Sequence, residues 1–242
     1  MGSYVLRILL WNCNNGMSKP AQLEYFKQFK PDLAILPELK FSNIDLLEPD
    51  EFRWVTNNHT NPKPKGLGVL TYNNFKITDL PRDEDMEIFI PLIIEKDDFR
   101  LNLLAVWNFY YACKQGRFRG VRGEHCLEWS AIRHYSKLFT NPSIVIGDWN
   151  FGPKCFAESF QRMSTAFQSH NLKSMYHHFY KIDLAETNHP TFVTTRKNYH
   201  QIDHFFGSSF FLENMKEYSV EDFKNVVLSD HAPILVEIAD PN

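Results

Sequence analysis

Eight apolar runs of four to seven residues punctuate the chain, and each gives way to polar residues before it reaches helical length. They are Val5–Leu10, Leu33–Leu36, Leu67–Tyr72, Ile88–Ile94, Leu101–Val106, Ser143–Ile146, Ile202–Phe206 and Ile234–Ile238. Runs this short, rich in Val, Ile, Leu and Phe and without polar alternation, are the signature of strands buried on both faces. A chain built this way must cover its sheets on both sides, so a layered fold is required.

The covering layers are legible between the runs. Leu23 and Phe26 share one face of Lys19–Phe29. Leu127, Ala131, Tyr135 and Leu138 are spaced four, four and three within Glu124–Phe139. Phe156, Phe160, Met163 and Phe167 are spaced four, three and four within Phe156–His170. These spacings predict three amphipathic helices with apolar stripes packed on sheets. The 21 phenylalanines among 242 residues fit a thick aromatic core. With no repeat of solenoid length and no Gly/Ser-rich linker, one domain spanning 1–242, with its core at about 5–239, is expected.

Charge and cysteine usage narrow the function. A net charge of −3 is unlike the overall basic excess of general nucleic-acid binders, so contact with a polyanion must come from a local patch. Cys13, Cys113, Cys126 and Cys155 form no C-x-x-C pair, which argues against a zinc knuckle and suits thiols in a reducing compartment. The start MGSYVLRILLWNCN lacks the parts of a secretory signal, and no run approaches membrane-span length; a cytoplasmic protein without a membrane partner is expected.

Chemistry concentrates where strands end: Trp11-Asn12-Cys13-Asn14, Pro37-Glu38, Gly147-Asp148-Trp149-Asn150, Ile202-Asp203-His204 and Ser229-Asp230-His231-Ala232-Pro233. Singly, each is an ordinary turn. Together they offer carboxylates on four segments, Asn side chains and an Asp-His pair. Those are the parts phosphoryl transfer needs: hard oxygen ligands for Mg²⁺, a positioned water with its base, and donors for phosphate oxygens.

These five segments, in this order, resemble the endonuclease/exonuclease/phosphatase superfamily, whose motifs are a W-N strand end, Q-E or P-E, G-D-x-N, I-D-Y or I-D-H, and a closing S-D-H-x-P. The likeness spans residues 6 to 238. His189-Pro190-Thr191 and Tyr199–Asp203 resemble bacterial members. The resemblance implies an α/β four-layer sandwich, two mainly antiparallel sheets face to face with helices outside, and a site at one open end. It implies Glu38 as the principal ligand of Mg²⁺, for which Mn²⁺ substitutes, supported by Asn12, Asp230 and Asn14. Asp148 would orient or deprotonate the attacking water, Asn150 and Asn12 would donate to developing negative charge, and His231, set by Asp203, would contact a phosphate oxygen.

One departure stands out. Many members carry a His or Tyr at the end of a mid-chain strand as a candidate proton donor; this strand ends Val106-Trp107-Asn108-Phe109-Tyr110-Tyr111. Asn108 binds phosphate oxygens in this reading but shuttles no proton, which leaves metal-held water, Tyr110 or Tyr111. Arg117, Arg119 and Arg122 around Phe118, with Lys63 and Lys65, suit a nucleic-acid backbone. Trp107, Tyr110 and His200 are further candidates for substrate contact. A nuclease acting on DNA or RNA leads. A hydrolase of small phosphoesters or phospholipid head groups, and a catalytically silent binding domain, remain open. His177, His178 and His189 match no strong ligand spacing and read as structural.

Overall fold

The computed structural model describes residues 5–14, 16–56, 65–86, 89–108, 127–223 and 228–239. Two six-stranded sheets dominate it. The first runs β13(Met215–Val220), β14(Ile234–Ala239), β1(Val5–Leu10), β2(Leu33–Lys40), β4(Lys65–Thr71), β3(Glu51–Thr56). The second runs β5(Lys76–Asp79), β6(Phe89–Lys96), β7(Phe99–Trp107), β8(Ser143–Asp148), β12(Asp203–Gly207), β9(Lys173–Ser174). A small hairpin pairs β10(Phe192–Val193) with β11(Tyr199–His200).

Both sheets follow one plan: antiparallel pairing except for a single parallel pair near the middle, β1 with β2 and β7 with β8. A parallel pair needs a crossover, and helices α1(Pro20–Phe29) and α2(Leu127–His134) lie in those two connections. Pro20 occupies the first turn of α1, where a missing N–H is harmless. Helices α3(Ala157–Gln168), α4(Met175–Tyr180) and α5(Ser209–Asn214) complete the set.

Neighbouring residues of the central strands face opposite layers. Ile8 and Leu10 of β1 join the core between the sheets with Ile144, Ile146 and Phe205, while Leu9 and Trp11 turn outward to Phe26 and Phe29 of α1. In the second sheet Val145 and Phe206 turn outward onto Leu127 and Ala131 of α2 and Phe160, Met163 and Phe167 of α3. The order helix, sheet, sheet, helices is the four-layer sandwich expected.

Some boundaries shift. The second predicted helix is described from Leu127, ends at His134 and continues as a single 3₁₀ turn, Ser136–Leu138; residues 124–126 lie outside the described residues. Phe156 does not belong to the α3 stripe. It precedes the helix in a left-handed conformation (φ 55°) and is 72% exposed, because a residue off the helical path does not share its buried face. Cys13 is a buried free thiol and Cys155 a half-buried one; Cys113 and Cys126 lie outside the described residues. No helix among the described residues is long and apolar enough to cross a membrane.

Candidate active site at the open end of the sandwich

The two parallel pairs deliver their carboxyl ends to one end of the sandwich. Asn12 follows β1, Glu38 lies near the end of β2, Asn108 follows β7 and Asp148 closes β8. Strands β12 and β14 run antiparallel to β8 and β1, so Asp203 and the His231 segment enter at that same end.

Side chains meet across the sheets. Asn12 Nδ2 donates to Asp148 Oδ2 at 3.0 Å and approaches Glu38 Oε1 at 3.4 Å. Its Oδ1 accepts from the backbone N–H of Asn14 at 3.2 Å. Lys65 Nζ pairs with Glu38 Oε2. Asp148 and Asp203 are register partners on adjacent antiparallel strands, so two carboxylates start side by side. Asp203 Oδ2 accepts from His231 Nδ1 at 2.9 Å, and Asp148, Asp203 and His231 are all buried.

This crowding sets the protonation states. Burial and the neighbouring Asp203 push the Asp148 carboxyl up to about 7, although His231, Asn12 and the Asn150 N–H pull the other way. Burial alone would lower the His231 imidazole, but Asp203, Asp148 and Asp230 outweigh it and raise it to about 9. The site at neutral pH thus holds an imidazolium beside a carboxyl poised near neutrality.

Other contacts fix the frame. The Asn150 N–H donates to Asp148 Oδ1 at 3.0 Å, and Asn150 Nδ2 to the Asn108 carbonyl at 2.8 Å. Asn108 Nδ2 donates to Glu128 Oε1 and to the Trp149 carbonyl, both at 3.1 Å, so the amide ties β7, β8 and α2 together. Trp107 packs between the sheets. Asp230 is half-buried, and its carbonyl accepts from the Val193 N–H at 2.9 Å. His200 pairs with Phe192 across the hairpin. Tyr110, Arg117, Arg119 and Arg122, with Lys63 and Tyr111, lie outside the described residues.

Several contributors carried no recognised signal in the sequence. Thr191 is fully buried; its Oγ1 accepts the N–H groups of Ile202 at 3.0 Å and Asp203 at 3.1 Å, while its carbonyl accepts Ala232 N–H at 2.8 Å. One threonine therefore sews the Asp203 and His231 segments together. Gln22, also fully buried, donates to the carbonyls of Cys13 at 2.7 Å and Leu228 at 3.1 Å, holding the Asn12 and Asp230 loops. The Phe192 ring packs against His231 with centroids 4.7 Å apart. Only Thr191 had an available cue, its place in the quoted His189-Pro190-Thr191 segment.

Histidine 204 turns away from the site. Its Nε2 donates to the Phe151 carbonyl at 2.8 Å, and burial lowers its pKa to about 4, so it is neutral structure. His177 uses Nδ1 with Ser174 Oγ at 2.7 Å and Nε2 with the Glu186 carbonyl at 3.1 Å, which leaves no ring nitrogen for a metal.

A cation fits the open end. One ligand atom each of Asp148, Asp203 and His231 lie within 4.8 Å of one another, close enough to share an ion. The protonated ring of His231 already donates to Asp203, whereas Glu38 offers the anionic oxygens that Mg²⁺ prefers, with the Asn12 amide turning its Nδ2 to Glu38 and its Oδ1 to the Asn14 N–H. Alongside Asp230 runs a groove of about 660 Å³ whose lining includes Lys19, Phe192, Lys197, Tyr199 and Phe223.

An α/β sandwich with paired acids and an Asp-His couple at its open end defines a class of phosphoester hydrolases. The chain belongs to the endonuclease/exonuclease/phosphatase family: the sequence profile of that family matches residues 9–231. Members are metal-dependent phosphoester hydrolases. Comparison with curated proteins finds no significant match. Among solved structures the fold is similar to an AP endonuclease from Leishmania major (TM-score 0.72, 16% identity, 98% of this chain and 88% of that one). It is also similar to a 3′ phosphatase from Neisseria bound to product DNA hairpin (0.67, 16%, 96% and 99%) and to an AP endonuclease from Archaeoglobus fulgidus (0.66, 14%, 97% and 99%).

Proposed function

We propose that this protein is a Mg²⁺-dependent phosphodiester hydrolase that cleaves nucleic acid. The observation that carries the reading is the arrangement Asn12–Asp148–Asp203–His231, in which one buried carboxyl is held near neutrality beside an imidazolium. Asp148 takes the proton of the attacking water, because a base works best with a pKa near the working pH. His231, kept protonated by Asp203, donates to a phosphate oxygen as charge builds. Asn12 and Asn150 orient Asp148 from either side. Glu38, with Asn12, Asn14 and Asp230, would hold the metal. When bound, Mg²⁺ supplies charge stabilisation for the phosphoryl oxygens and the leaving group. Asn108 ties the end of β8, at Trp149, to Glu128 of α2.

A nucleic acid is favoured over a small phosphoester by the groove beside Asp230, where Tyr199 is half exposed and two lysines flank aromatic rings. Aromatic faces take unstacked bases and lysines take the backbone. The AP endonucleases and the DNA-bound 3′ phosphatase of like fold support the same substrate class.

The test is incubation of the purified protein with labelled single- and double-stranded DNA and RNA, with Mg²⁺, Mn²⁺ or EDTA, beside Asp148→Asn and His231→Ala. Metal-dependent cleavage lost in both variants is the expected result. If no polymer is cut with either metal, the nuclease reading is wrong. Turnover of nucleotides, inositol phosphates or phospholipids would then identify a small-phosphoester hydrolase, and inertness toward all of them a binding domain.

A further inference from the structure

Glu38 is held in an unusual way. The pairing of β2 with β4 slips between Leu36 and Leu39, and within that irregularity Glu38 adopts a left-handed backbone (φ 64°). Bulges of this kind re-aim a side chain. Here the carboxylate meets Asn12 Nδ2 with Oε1, at 3.4 Å, and the Lys65 ammonium with Oε2. Lys65 is the first residue of β4, paired in register with Lys40. The two partners are 31% and 22% exposed, so solvent reaches the pair but does not fully screen it.

Among the described residues, two ion pairs thus stand at the open end beside Asp148 and Asp230. His231 balances Asp203 on one side, and Lys65 balances Glu38 on the other. Asn12 links the two halves through Asp148. We propose that Lys65 is the resident counter-cation of Glu38: it holds the carboxylate in place without metal and competes with the divalent ion for it, thereby setting the metal affinity of the site. This rests on Glu38 being the metal-holding carboxylate.

Removing the ammonium has two opposed effects. It loosens Glu38, which weakens binding, and it removes a positive charge that a dication must approach, which strengthens binding. The second effect dominates, because Asn12 and the strand still position Glu38 while charge repulsion at such short range is large.

The experiment is direct Mn²⁺ binding, read by calorimetry and by the electron paramagnetic resonance of free Mn²⁺, with no substrate present. Lys65→Met keeps the apolar stem and removes the charge; its Kd is expected to fall about tenfold or more. Lys65→Arg keeps the charge and should not tighten Mn²⁺ binding, since the guanidinium still competes for the carboxylate. An unchanged or weaker Kd in Lys65→Met overturns the proposal, provided Glu38→Gln loses binding. If Glu38→Gln binds Mn²⁺ as the parent does, the assignment of Glu38 to the metal is itself wrong, and the competition for it falls with it.

Discussion

His231 Nδ1 donates to Asp203 Oδ2 at 2.9 Å inside a buried pocket, so the ring is held in one orientation. The geometry depends on charge, since burial alone would drive the imidazole toward neutrality and Asp203 reverses that. Asp203→Asn keeps the shape and removes the charge. The variant is expected to lose about 10²- to 10⁴-fold in kcat with little change in KM, because the lost interaction acts in the transition state. Steady-state kinetics on whichever substrate the protein cleaves would check this; a loss confined to KM would make the couple a substrate-binding device.

The same crowding predicts how the metal-free fold responds to pH. Asp148 rises from 3.8 to about 7 and His231 from 6.5 to about 9 on folding. Both folded values lie above the unfolded ones. Each group's contribution is thus complete below its unfolded value and is lost as pH climbs through its folded value. For Asp148 that window is 3.8 to about 7, and for His231 6.5 to about 9. In EDTA the melting temperature should fall steadily from pH 6 to pH 9, with His231 accounting for roughly 3 kcal/mol of the loss. Thermal scans at pH 6, 7.5 and 9 decide it, and a flat or rising trend would contradict these protonation states.

The eight apolar runs visible in the sequence are the eight central strands, β14, β1, β2 and β4 in one sheet and β6, β7, β8 and β12 in the other. The edge strands β3, β5, β9 and β13 were not legible, for a physical reason. An edge strand such as EFRWVT at Glu51–Thr56 or MKEYSV at Met215–Val220 buries less of itself and mixes charges with apolar residues, so no continuous run marks it. The polar ends of Asn12, Glu38, Asp148 and Asp203 were legible because they interrupt central strands. Lys65 was read as a lysine for a nucleic-acid backbone; its pairing with Glu38, and the roles of Thr191 and Gln22, were not legible, since each acts through a partner distant in sequence: 27 residues to Glu38 for Lys65, and 206 to Leu228 for Gln22.

Gly147 precedes Asp148 because no side chain fits there. A Cβ built on it would lie 1.9 Å from the Val106 carbonyl oxygen of the parallel neighbour β7. The obstacle is backbone in the middle of a sheet, which cannot swing aside. Gly147→Ala should destabilise the protein by more than about 2 kcal/mol and displace Asp148, losing activity with stability. Urea denaturation measures the first part. A midpoint equal to the parent's would mean that β7 and β8 are spaced more widely than the structure has them.

Asp148 places function and stability in opposition. Its carboxyl is fully enclosed and its register partner is another carboxylate, so above pH 7 two carboxylates share one buried corner with a single imidazolium, which already balances Asp203. Asp148→Asn removes one charge at nearly constant volume. The new amide still receives the Asn150 N–H on its oxygen and gives up only the hydrogen bond from Asn12, whose amide stays held by the Asn14 N–H and Glu38. Without metal at pH 8 the variant is expected to be more stable than the parent by about 1–4 kcal/mol, and to lose at least about 10²-fold in kcat because no base remains for the water. Chemical denaturation in EDTA at pH 8, paired with the cleavage assay, reads both. An inactive variant that is less stable than the parent would mean that Asp148 serves chiefly to hold the strand ends together, and the role of base would pass to another carboxylate.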